Sequence, residues 1–129
     1  MPSTLLSVCH PDLQERYTLL LHDFREETGH DLILTCTARS TDEQARLYAQ
    51  GRTAPGPIVT QIDGTTKKSN HNLVPARAVD VAVTVNGKVS WDPHQYAPLG
   101  VLARKHGLVW GGNWTTLKDY PHLELPHAR

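Results

Sequence analysis

Histidine is unusually frequent in this sequence, with eight in 129 residues. Neutral imidazole is the commonest side-chain metal ligand, so the excess points towards a metal. Two polar residues stand where a β scaffold could hold an ion. Asp80 falls within Ala78–Val85 (AVDVAVTV), between Ala78 and Ala82, on the face opposite Val79, Val81, Val83 and Val85. Its small neighbours leave room around the carboxylate. His122 opens HLEL, where it shares a face with Glu124 opposite Leu123 and Leu125. If these two strands lie near each other, both polar side chains project from one side of a sheet. Taken singly, each also reads as a solvent-facing strand residue, and that plain reading is the commoner one.

His71 comes nine residues before Asp80, in SNHNLVPARAVD, on the loop that feeds the strand. A loop histidine and a strand aspartate can converge on one ion, although a surface histidine fits the same spacing. Asp119 stands three residues before His122 in DYPHLEL, where Pro121 is expected to keep Tyr120 extended. A carboxylate tethered there can reach a metal-bound water without being a ligand; otherwise it is a turn Asp bonded to its own backbone. Arg39 follows the run DLILTCT and precedes a helix start, which makes it the candidate to steady an oxyanion. Its alternative is a surface pairing with Asp42 or Glu43.

The chemistry such a set would run is hydrolytic. A catalytic zinc takes three protein ligands and leaves a place for water, whose pKa it lowers to about 7. A nearby carboxylate takes the proton as hydroxide attacks a carbonyl and returns it to the leaving amine. A cation or hydrogen-bond donor stabilises the tetrahedral oxyanion. Two histidines and a carboxylate also suit iron or manganese.

The elements that must position these residues are legible in outline. Leu13, Tyr17, Leu20, Leu21 and Phe24 recur on one face of a helix that begins near Pro11 and stops at Gly29. Asp31–Thr37 reads as a strand, and Ser40–Glu43 as the capping box of a second helix ending near Gly51. Residues 52–76 form a long irregular segment, the kind that often carries function. After Ala78–Val85, Asn86-Gly87 signals a hairpin, with Lys88–Trp91 as the return strand. Pro93–His106 is expected to be one helix ended by Gly107, Leu108–Trp110 a short strand, and His122–Leu125 the last. These elements predict a single α+β domain over residues 1–129, with a mostly antiparallel sheet and flanking helices.

Zero formal net charge and the lack of any long basic block argue against nucleic acid or an anionic membrane as partner. Cys9 and Cys36 match no zinc-knuckle spacing; Cys36 reads as a plain core residue, and a pairing of the two is left open. The start, MPSTLLSVCHPDL, has neither a basic region nor a long apolar stretch, so no signal peptide or membrane anchor is expected, and the product should accumulate in the cytoplasm. His10, His22, His30, His94, His106 and His127 are expected to be structural or solvent-facing, with His127 the main rival ligand because it lies near His122. Trp110, Trp114 and Tyr120 are expected to pack.

Three segments carry a resemblance to a known family. SNHNLVPARAVDVAV resembles the Ser-x-His…Asp segment of the LAS-type zinc peptidases, and DYPHLEL their acid-x-x-His segment. TARSTDEQARLYAQGRTAPGPIVT resembles the Arg-Ser…Glu-Gln…Leu-Tyr…Gly-Arg stretch of the phage endolysin-like branch. The likeness spans about residues 30–126, with the motifs in the family's order. It implies one zinc ion held by His71, Asp80 and His122, Asp119 as general base and acid, Arg39 polarising the scissile carbonyl, and Ser69 and Gln44 near the cleft. It implies the fold shared by zinc DD-peptidases and hedgehog-type domains. Two features depart from many members: two added residues between His71 and Asp80, placed at Leu73–Pro75, and Asp119 where carboxypeptidase members use Glu. Both fit the endopeptidase branch. The implied function is hydrolysis of peptidoglycan stem peptides by an L-alanyl-D-glutamate endopeptidase, an endolysin of phage or prophage origin, acting as a monomer after release to the wall. The rivals are a D-Ala-D-Ala carboxypeptidase or dipeptidase and a non-catalytic zinc-binding module of the same fold.

Overall fold

The computed structural model describes residues 3–64 and 68–126. Its first helix, α1 (Pro11–Thr28), buries Leu13, Tyr17, Leu20 and Phe24, the face the spacing requires. Pro11 occupies the first turn, where its missing N–H costs nothing, and His10 Nδ1 accepts from the Asp12 N–H. Gly29 ends the helix at φ 72°, a left-handed position open to glycine without strain. Strand β1 (Asp31–Cys36) follows, then α2 (Thr41–Ala49). The capping box at its start is complete: Ser40 Oγ accepts from the Glu43 N–H and Glu43 Oε1 from the Ser40 N–H.

Strand β2 (Ala78–Val85) turns through Asn86 and Gly87, both at positive φ, into β3 (Lys88–Ser90). The single helix expected over 93–106 is two: α3 (Pro93–Tyr96) and α4 (Pro98–Lys105). Pro98 has no N–H to bond back to the carbonyl of His94, so the ladder is interrupted there. Strands β4 (Val109–Trp110) and β5 (His122–Glu124) complete the sheet.

All strand pairs are antiparallel, in the order β1-β2-β5-β4. β2 is the hub. One of its edges carries β1, and the other is shared end to end by β5, at Ala78–Asp80, and β3, at Val83–Val85. One sheet face presents Val79, Val81, Val83 and Leu123 to a core built with Leu13, Leu20 and Phe24 of α1 and Leu99 and Leu102 of α4. The opposite face carries Asp80. The alternation in β2 thus separates a packed face from a chemical one. No helix among the described residues is long and apolar enough to cross a membrane.

Phe24 is fully buried among these side chains. Phe24→Ala is expected to lower unfolding stability by about 3–5 kcal/mol, read as a reduced urea midpoint with unchanged slope.

Candidate active site

Register places three side chains in a row across three strands: Cys36 of β1 opposite Asp80 of β2, and Asp80 opposite His122 of β5. The row needs an irregularity. Leu34 pairs with Val81, but the next pairing skips Thr35 and brings Cys36 to Asp80. A bulge of this kind inserts one residue and re-aims the side chains beyond it. Cys36 is therefore not the plain core residue expected. Its thiol stands 3.7 Å from His71 Nδ1 and 3.6 Å from Arg39 Nη2.

His71 enters from a single 3-10 turn, Asn70–Asn72, capped by Ser69 Oγ, which accepts from the His71 N–H. Its Nδ1 lies 2.8 Å from the Thr37 carbonyl. A carbonyl only accepts, so Nδ1 carries the proton and Nε2 keeps a lone pair. That Nε2 is buried, has no hydrogen-bond partner and faces Asp80 Oδ1 at 3.3 Å. The same carboxylate oxygen lies 3.0 Å from His122 Nδ1. The far nitrogen of His122 is 2.6 Å from Glu124 Oε1, and Glu124 Oε2 accepts from Asn70 Nδ2 at 2.8 Å. With Nε2–H donating to Glu124, the His122 lone pair also points at Asp80. Two imidazole lone pairs and a carboxylate oxygen thus converge, an arrangement that repels itself unless a cation lies among them.

The charges respond accordingly. Burial opposes a charged ring at His71, yet Asp80 and Cys36 outweigh it and raise its pKa to about 10. At His122 burial is again outweighed, by Asp80 and Glu124, to about 9. Burial pushes the Asp80 carboxyl up, but the two histidines hold it well below the usual carboxylate range. The pocket favours positive charge at its centre, and a divalent ion would supply it in place of protons. Two groups sharing Asp80 bring their ligand atoms within 4.8 Å of one another, Cys36 with His71 and Asp119 with His122, so the expected set of His71, Asp80 and His122 is split between them.

Asp119 stands 4.0 Å from His122 Nδ1, with its side chain 44% exposed. Its pKa is raised, by burial first and then by the negative charge of Asp80. The approach to His122 is a turn and not the extended segment expected: the His122 N–H donates to the Asp119 carbonyl at 3.2 Å. The Gly111 carbonyl accepts from the Asp119 N–H, and a Cβ on Gly111 would collide with the Asp119 carbonyl. Glycine is required there for close approach.

Arg39 turns inward. Its Nη2 lies 3.5 Å from Asp80 Oδ2, and its Nη1 donates to Gln44 Oε1 at 2.8 Å. Gln44, itself buried, donates to the Ile62 carbonyl and so ties Arg39 to the long irregular segment. A cleft of about 740 Å³ opens over this centre, lined by Ile58–Ile62, Lys68–His71, Trp114 and Thr116–Asp119.

The pattern of a D-alanyl-D-alanine carboxypeptidase family matches residues 63–125. The chain is 36% identical over 107 residues to the peptidoglycan L-alanyl-D-glutamate endopeptidase CwlK of Bacillus subtilis, covering 75% of this chain and 62% of that protein. The fold matches the crystal structure of the Serratia marcescens L-Ala D-Glu endopeptidase ChiX with a TM-score of 0.72 and 28% identity, over 98% of this chain and 90% of the other.

Pattern, relative and fold together liken the chain to the LAS-type peptidases. It spans about three-fifths of the length of the curated relative it matches. LAS-type peptidases depend on a metal, and the histidine–carboxylate groups described above are where this chain could hold one.

Several residues of the centre were not singled out from the sequence. Glu124 was seen only as a strand neighbour of His122, although a residue two further along a strand is the natural partner for its ring. Asn70, which holds Glu124, gave no signal. Trp114 was expected to pack, and its ring lies 4.9 Å from that of His122 while lining the cleft. Of the other histidines, His10 caps α1 and His106 bonds Asp23 Oδ2 at 2.7 Å. His127 lies outside the described residues. Cys9 and Cys36 are both buried free thiols.

A carboxylate on the outer nitrogen of a ligating histidine fixes its tautomer and raises its basicity. Glu124→Gln is therefore expected to weaken metal binding about 10- to 100-fold, measured with added zinc by competition with a chromophoric chelator.

Proposed function

We propose that this chain is a zinc-dependent L-alanyl-D-glutamate endopeptidase that hydrolyses peptidoglycan stem peptides as a monomer. The observation that carries the reading is the meeting of His71, Asp80 and His122 at one carboxylate oxygen beside the unshared carboxylate of Asp119. Both relatives whose names specify a bond are endopeptidases of the L-Ala–D-Glu type. An endolysin role and a phage or prophage origin rest on the motif likeness around TARSTDEQARLYAQGR.

In this reading His71, Asp80 and His122 would hold the ion. When bound, it supplies a Lewis acid that makes hydroxide available near neutral pH and polarises the scissile carbonyl. Asp119 takes the proton of the attacking water and passes it to the departing amine; its raised pKa suits both halves of that exchange. Arg39 faces the developing oxyanion from the Asp80 side, with Gln44 holding its guanidinium in place. Ser69 keeps the His71 turn closed. Asp80 serves only as a ligand, because the two imidazoles keep its carboxyl ionised.

A D-Ala-D-Ala carboxypeptidase is the second reading, supported by the description of the family pattern matched over residues 63–125. Mass spectrometry of digested, purified peptidoglycan separates the two: new L-alanine carboxyl ends are expected, and free D-alanine would favour the rival. A chelator is expected to abolish the products and added zinc to restore them. Asp119→Ala is expected to keep the ion and the melting temperature while lowering kcat about 10²- to 10⁴-fold. Normal turnover by that variant would remove Asp119 from the mechanism. A zinc-bound wild type with no turnover would point to the non-catalytic module.

A further inference from the structure

The cleft holds two cations that the mechanism leaves unused. Lys68 immediately precedes Ser69, Lys118 immediately precedes Asp119, and both lysines line the cleft. Each is therefore one residue from a group at the centre. The remaining cation of the lining, Arg39, is engaged by Asp80 Oδ2 and Gln44. Lys118 Nζ makes one long contact, 3.3 Å to the Gly112 carbonyl, and among the described residues neither lysine has a carboxylate partner. Both ammonium groups are available to a ligand.

The sign of the whole cleft points the same way. Three cationic side chains (Arg39, Lys68, Lys118) and three anionic ones (Asp80, Asp119, Glu124) line it. With both histidines neutral as ligands, a divalent ion leaves a surplus of positive charge in a recess that focuses its field. Asp80 and Glu124 are turned to the two histidines, and Asp119 is placed to handle protons. What the cleft lacks is an anion for its lysines, so the substrate should bring one.

The reading above supplies a substrate with such a group. In an L-alanyl-D-glutamate linkage the amine released belongs to glutamate, which carries two carboxyl functions. One continues the peptide; the other is either a free carboxylate or an amide, depending on the wall. We propose that Lys68 and Lys118 bind the free carboxylate of that glutamate, so that this peptidase discriminates against stem peptides in which it is amidated. The inference rests on the endopeptidase reading and adds the chemical form of wall it prefers. An ammonium–carboxylate contact favours the acid, while an amide in the same place offers only a neutral carbonyl acceptor and no charge. The contacts are at an exposed rim, so each lysine contributes modestly and the pair adds up.

The test uses the zinc-loaded full chain and two soluble stem peptides that differ only in having D-glutamate or D-isoglutamine after L-alanine. Wild type is expected to favour the acid peptide about tenfold in kcat/KM, mostly through KM, with the preference shrinking as salt rises. In K68Q/K118Q the ratio is expected to fall towards one, and in K68R/K118R to return. Equal turnover of both peptides by wild type overturns the proposal, as does an undiminished preference in K68Q/K118Q. If neither peptide is cut while D-alanine is released from a pentapeptide, the endopeptidase reading has failed and the lysine assignment falls with it.

Discussion

Asp80 is an ionised carboxylate at the centre of a five-stranded sheet, and the rest of the molecule is arranged around keeping it so. Left without compensation, a buried charge costs several kcal/mol. Here the compensation comes from three directions: His71 from the preceding loop, His122 from the strand on one edge, and Arg39 beyond the strand on the other. Each partner dictates a piece of topology. β2 must be flanked on both edges, so it cannot be an edge strand. β5 must return from late in the chain to lie beside it, which puts residue 122 directly opposite residue 80. The antiparallel pairing makes that contact a cross-strand neighbour relation, the most rigid placement a sheet offers two side chains.

Rigidity comes from the other face. Val79, Val81 and Val83 lock β2 against α1 and α4, and β-branched side chains have little rotamer freedom. A strand so anchored cannot slip by one residue without turning its valines to solvent and Asp80 into the core. The same alternation that builds the core therefore fixes the direction of the carboxylate. The walls above it are less regular. Gln44 and Ser69 hold them by hydrogen bonds to backbone.

How much of this could be read in advance depended on whether a feature was periodic. Alternation at AVDVAVTV placed Asp80 on the chemical face, and HLEL did the same for His122. Capping chemistry located α2, and Asn86-Gly87 located the β2–β3 turn. Features without a period stayed hidden. The bulge before Cys36 leaves no mark in DLILTCT, so the thiol was assigned to the core. Pro98 divides a segment whose apolar spacing otherwise reads as one helix. Residues 52–76 have no repeating pattern, so which of their side chains would line the cleft was not legible. Their contacts are set by partners far away in the chain, as Asn70 is by Glu124. The motif resemblance supplied the pairing of His71 with Asp80 and His122, which spacing alone left open.

The two aspartates show how one site can set neighbouring carboxylates apart. Both are near the same histidines, yet their environments push them in opposite directions. Asp80 takes both rings at short range and Arg39 on its second oxygen, so its proton affinity is low. Asp119 is 4.0 Å from the nearer ring and feels the negative charge of Asp80, so its proton affinity is raised. Under the proposed mechanism, exchanging their roles would require a base that resists protonation and a ligand half exposed to water. Separation of this kind between neighbouring acids is how a single fold assigns the parts of acid–base chemistry. Gly111 permits it, because only a residue without Cβ lets the Asp119 turn pack this close beside His122.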